Sequence, residues 1–206
     1  MKKLLLITVL IIGILSCGVP KEIQYPNENL KFENNVVLYK GKKYSGKIKV
    51  SVKETNTESE LNVKNGRLDG KGFYKGDGYL LEYNIVNSEL DGEFIEEFES
   101  SRVAIEFKNG KIQKFYDKGK FMIEQYYFDN EGRANGNEEV VETGDIVAYK
   151  DGVGERPDWN ASYKKYINKE GDLVSEVYKD KILYDMSTFD VYDVDQIEKI
   201  IFNKLK

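Results

Sequence analysis

The feature that most restricts the fold of this 206-residue chain is a repeat. Gly66, Ser88, Gly110, Gly132 and Gly154 stand 22 residues apart, and four residues beyond them stand Gly70, Gly92, Lys114, Gly136 and Asp158. An apolar or aromatic column, Leu61, Tyr83, Ile105, Tyr127 and Tyr149, has the same period. Self-similarity over about 20 to 50 residues marks a chain that stacks one supersecondary unit, because a single unit cannot bury its own apolar face. The question is then which unit is stacked.

The residues between the glycines alternate as strands do. Tyr79, Leu81, Tyr83 and Ile85 point to one face, with Leu80, Glu82, Asn84 and Val86 on the other. Each unit starts at a turn, as in Asn65-Gly66, Asn87-Ser88 and Asn109-Gly110, and has a second one midway, as in Gly76-Asp77-Gly78 or Glu142-Thr143-Gly144-Asp145. Asn-Gly and Asp-Gly serve tight hairpins, whose central residues need positive φ. The expectation is a mainly β protein, an antiparallel meander of hairpins in 22-residue units over residues 36–192, with a phase slip in Gly152–Asn160. Beyond it the period changes: Val194, Ile197, Ile200, Ile201 and Leu205 recur at three and four, and Asp193 with Gln196 forms a capping-box pattern. Residues 193–206 are expected to form a short helix capping the last unit.

The front of the chain has a different character. Lys2 and Lys3 precede an apolar run from Leu4 to Leu15, a pattern of targeting. The run is too short to span a bilayer, which takes about 20 apolar residues. Residues 1–16 therefore read as a signal peptide. Ile14-Leu15-Ser16-Cys17 resembles the lipobox of bacterial lipoproteins, which implies acylation of Cys17 and a membrane anchor. Each buried methylene contributes about 0.8 kcal/mol, so two or more acyl chains hold stably. Gly18 rather than Asp after the cysteine resembles the outer-membrane default of diderm envelopes; in a monoderm the anchor would hold the outer face of the cytoplasmic membrane. Pro20, Pro26 and the absence of a period make residues 17–35 the lipidated cysteine and its tether. With no other cysteine, the body has no disulfide and no thiolate metal site.

The stretch Asn65-Gly66-Arg67-Leu68-Asp69-Gly70 followed by Phe73-Tyr74 resembles the MORN-repeat-variant family, whose units combine an aromatic residue, an Asn-Gly turn, a hydrophobic residue and a second glycine. The likeness extends over about residues 36 to 185, with Ser88 and Lys114 in place of glycines. It implies a single sheet of hairpins and roles in scaffolding or in protein and membrane contact. Some bacterial members are described as antitoxin components, which implies an alternative role as an immunity protein against a toxin. The family has no catalytic residues to transfer.

The remaining chemistry is mostly excluded. The chain has no histidine, which removes the usual general base and the Ser-His and Cys-His arrangements. Removing Lys2 and Lys3 leaves 29 basic against 36 acidic residues, interspersed along the chain, a balance that argues against nucleic acid. Asp129–Val140 fails as a calcium loop, because Ala134 and Val140 replace its glycine and glutamate. No metal site or cofactor is expected. A glycoside hydrolase using two carboxylates is the least favoured reading, since no pair is singled out by spacing. Candidate partner-binding residues are Trp159 and Arg156, in the stretch that interrupts the repeat, and the tyrosines Tyr83, Tyr127 and Tyr149. The leading expectation is a non-enzymatic, lipid-anchored scaffold or binding module whose partner is an envelope protein or a toxin.

Overall fold

The computed structural model describes residues 19–156, 160–189 and 192–205. It is mainly β, a long antiparallel meander closed by one helix. The first strands are β1 (Glu22–Tyr25), β2 (Leu30–Glu33), β3 (Val36–Tyr39), β4 (Lys42–Lys43) and β5 (Gly46–Val52). They are followed by β6 (Thr57–Lys64), β7 (Arg67–Leu68), β8 (Gly70–Gly76), β9 (Tyr79–Val86) and β10 (Glu89–Leu90). The middle holds β11 (Gly92–Phe98), β12 (Ser101–Lys108), β13 (Lys111–Lys118), β14 (Met122–Phe128) and β15 (Ala134–Val140). The chain ends with β16 (Ile146–Lys150), β17 (Val153–Arg156), β18 (Ala161–Ile167), β19 (Leu173–Lys179), β20 (Ile182–Phe189) and the helix α1 (Val194–Lys204). From β5 to β20 the ladders run antiparallel between neighbours in sequence, with the two-residue β7 and β10 as stubs before β8 and β11. β2, β3 and β4 form a small second sheet.

The repeat is a turn-and-bulge device. Asn65 and Gly66, Asn87 and Ser88, and Asn109 and Gly110 all have φ between 50° and 82°, the paired positive values that a type I′ hairpin needs. Immediately after the first two turns the ladder jumps. Val63 opposes Leu68 but Glu60 opposes Phe73, so two extra residues are absorbed, with Gly70 at φ 88°. Ile85–Leu90 and Glu82–Ile95 repeat that jump, with Gly92 at φ 83°. Lys114 occupies this position in the third unit, and there the ladder absorbs one residue, passing from Phe107–Ile112 to Glu106–Lys114.

A one-residue slip turns a strand over. Phe115 and Tyr126 therefore continue the buried row of Phe94 and Ile105 by direct cross-strand pairing, and Tyr127, the residue in the 22-residue column, faces outward. The row then passes through Gly136 to Tyr149, which is buried again.

Three expectations need correction. The tether expected to reach Asn35 is structured from Glu22, because β1 adds in parallel to β5 and β2 pairs with β3. Their buried Ile23, Leu30 and Phe32 are the reason: alternate apolar residues in a proline-punctuated segment still find a face to cover. The stretch Gly152–Asn160 is not one inserted loop, since Val153–Arg156 forms β17, paired on both sides. Its glycine turn is Asp151-Gly152, so Gly154 lies within a strand and the period has already shortened.

α1 covers the inner face at the β7 end. Asp193 and Gln196 make the reciprocal capping box, and Val194, Ile197, Ile201 and Phe202 are buried. Each such side chain contributes about 1.5 to 3 kcal/mol on burial. Phe202 meets Phe32 at 5.1 Å between ring centroids, and Glu198, fully buried, accepts from the Leu68 amide at 2.8 Å and from Arg67 Nε at 2.9 Å. At the opposite end the sheet rolls until Phe189 of β20 packs edge-on against Phe115 of β13, 5.6 Å between centroids.

Candidate functional site

One row of the inner face is polar. Glu96 pairs with Val103, Val103 with Asp117, Asp117 with Glu124 and Glu124 with Glu138, so four carboxylates lie along five strands. Like charges directly opposite one another destabilise a sheet, so each needs a partner. Glu96 has two: it accepts hydrogen bonds from the hydroxyls of Tyr79 (2.6 Å) and Tyr192.

Glu124 and Glu138 share Lys165, whose side chain, delivered by β18, is only 6% exposed. Lys165 Nζ donates to Glu124 Oε1, to Glu138 Oε2 at 2.8 Å and to the Tyr126 hydroxyl at 2.8 Å. It also lies 4.7 Å and 5.5 Å from the ring centroids of Tyr126 and Tyr149, close enough for cation–π attraction. Tyr126 donates to Glu124 at 3.1 Å, and Tyr149 donates to Glu138 at 3.2 Å. Burial, followed by the neighbouring carboxylates, pushes the pKa of both phenols up, which keeps them neutral donors.

Asp117 is the exception. Its Oδ1 is shut off from solvent and has no hydrogen-bond donor. An ammonium has three N–H bonds, and those of Lys165 are already directed at Glu124, Glu138 and Tyr126. Burial, and then the charge of Glu124, raise the Asp117 pKa, with Lys165 opposing. The folded chain thus holds this proton more tightly than the unfolded one, and stability falls as pH rises from the ordinary carboxylate range through the raised value. Asp117→Asn removes that loss. Thermal melts should show an unfolding midpoint higher than wild type by about 2 °C or more at pH 7, shrinking toward zero below about pH 4. A gain of equal size at both pH values would mean that the carboxylate's charge is not the cause.

In front of this row lies a cavity of about 390 Å³, walled by Phe115, Tyr163, Leu173 and Phe189 and floored by Asp117, Glu124, Glu138 and Lys165. A second feature is the edge of the sheet. β20 is hydrogen-bonded to β19 alone among the described strands; β5 is flanked on both sides by β1 and β6 and has no free side to offer it. Ile182 (71% exposed), Leu183, Tyr184 (68%) and Met186 are all open to solvent on that edge.

No family model matches the chain, and no curated protein is significantly similar to it.

The residues singled out from the sequence fall into three groups. Tyr83 and Tyr149 are buried on the inner face; Tyr83 lies over Gly72, directly opposite on β8, and Tyr149 belongs to the Lys165 cluster. Neither ring can meet a partner without the sheet opening. Arg156 is likewise buried, and its guanidinium donates to Asp145 at 2.8 Å, so it ties β17 to the turn before β16. Tyr127 is the exposed member of its column, at 59%. Cys17 and Trp159 lie outside the described residues. Asn160, where the described chain resumes before β18, donates to Asp180 in the turn that opens β20. Lys165, Glu124, Glu138 and Asp117 had no sequence signal, because only the ladder register shows that they meet.

Proposed function

We propose that this chain is a lipid-anchored protein of the bacterial envelope that binds another protein and catalyses no reaction, and that it does so by adding a partner's strand to β20. The observation that supports the reading is the open edge at Ile182–Phe189, eight residues with one charge, Asp185, and four exposed large apolar side chains. Sheet proteins ordinarily blunt such an edge with charge, proline or cover, since unpaired N–H and C=O groups template pairing with another chain. Main-chain bonds to the edge supply affinity, and alternate side chains supply selectivity. The fitting occupant is an extended, weakly charged segment with apolar residues at alternate positions, in a resident envelope protein. Anchoring at Cys17 would hold both partners at one membrane surface and raise their effective concentration.

The test is site-specific photocrosslinking in living cells. A photoreactive phenylalanine at Tyr184 should give one adduct with an identified envelope protein, mapped to an extended segment. The same probe at Phe98, exposed at the β11–β12 turn, should not. Leu183→Lys should abolish the Tyr184 adduct, because a lysine on the edge disfavours strand addition. Identical adducts from both positions, no adduct from Tyr184, or an adduct that survives Leu183→Lys would each refute strand addition at β20.

A further inference from the structure

We infer that the cavity between β13–β15 and β18–β20 is a binding site for a small organic cation bearing a primary ammonium, with Asp117 as its counter-ion. The inference is independent of strand addition at β20.

Negative charge outnumbers positive charge in this row. Asp117, Glu124 and Glu138 sit on three adjacent strands in direct cross-strand opposition, and one cation, Lys165, reaches them. Its three N–H directions are used on Glu124, Glu138 and Tyr126. Asp117 receives no hydrogen bond on its buried Oδ1, and its half-buried side chain lines the cavity. A ligand that brings one positive charge to that carboxylate offsets the excess negative charge of the row, which gives it an affinity that a neutral molecule of the same shape does not share.

The walls select the kind of cation. Glu124 and Glu138 are committed to Lys165, so a divalent metal ion would find one free carboxylate where it takes six to eight oxygens for calcium. Phe115, Phe189 and Tyr163 instead give an apolar, aromatic lining that suits the body of an organic amine and attracts its charge through the ring faces. Ser175 and Ser187 complete the rim with hydroxyls that can accept from a second N–H. A volume of about 390 Å³ lies at the lower end of small-molecule sites, which run from about 300 to 1,000 Å³, so the ligand is a compact one.

The probe is phenethylamine, compared with its neutral analogue 3-phenylpropan-1-ol, on the full chain in a neutral detergent. Isothermal titration at pH 7 should show saturable binding of the amine and none of the alcohol, and the amine should raise the unfolding midpoint. Asp117→Asn, expected to fold at least as well as wild type, should weaken amine binding about tenfold or more, the loss that follows removal of one charge-assisted hydrogen bond. Equal binding of the alcohol, undiminished binding by Asp117→Asn, displacement of the amine by calcium at matched ionic strength, or no binding at all would each overturn the proposal.

Discussion

Gly136→Ala is expected to lower the stability of the chain by about 3 to 5 kcal/mol, at the upper end for a single substitution. The side chain added is one methyl group, so the size of the effect comes from the place. Gly136 is in β15 with φ 152°, a value that L side chains rarely adopt, and it pairs with Tyr126 on one side and Tyr149 on the other. A Cβ there would overlap the Gln125 carbonyl oxygen and lie 2.9 Å from its carbon and 3.0 Å from the Tyr126 Cα. These are backbone atoms of a central strand, which cannot swing aside as the tip of a side chain can. The comparison is Gly144→Ala, with φ 71° and nothing within 4 Å of the new methyl. It has only the left-handed backbone penalty, about 1 to 2 kcal/mol. Chemical denaturation of the two variants measures the difference directly, and equal losses would show that backbone conformation, not the close strand contact, decides the role of Gly136.

That contrast also explains how far the sequence could be read. Hairpin turns are local, so Asn65-Gly66 and its copies announce themselves, and so does the capping box of Asp193 and Gln196. Which face a strand presents is not local. The aromatic column is in phase at Tyr83 and out of phase at Tyr127 because the bulge at Lys114 absorbs one residue where those at Gly70 and Gly92 absorb two. A missing glycine is visible in the sequence; that its absence moves Tyr126 rather than Tyr127 into the core depends on the register that results. The polar row is less legible still. Asp117, Glu124 and Glu138 are ordinary acidic residues in a chain with 36 of them, and Lys165 meets Glu124 across 41 positions of sequence. The cavity is a product of pairing, and no spacing rule contains it.

The second large effect is expected at Lys165. Lys165→Met keeps the length and apolar stem of the side chain and removes its charge, leaving the half-buried Glu124 and Glu138 beside Asp117 with no cation. Breaking a buried pair in this way costs about 3 to 5 kcal/mol, which for a chain of this size lowers the unfolding midpoint by roughly 6 to 20 °C. Most of that loss is the penalty on the orphaned carboxylates, not the worth of the bonds made by the lysine. One consequence separates these causes. Adding Glu124→Gln and Glu138→Gln to Lys165→Met should recover much of the midpoint, since amides keep the hydrogen bonds of Tyr126 and Tyr149 without the charge. The exposed control is Lys114, 66% open and paired with Glu106, whose replacement by methionine should change stability by less than about 1 kcal/mol. If Lys165→Met proves as mild as Lys114→Met, the inner row is solvated rather than enclosed, and the low dielectric that gives the cavity its preference for a cation is absent as well.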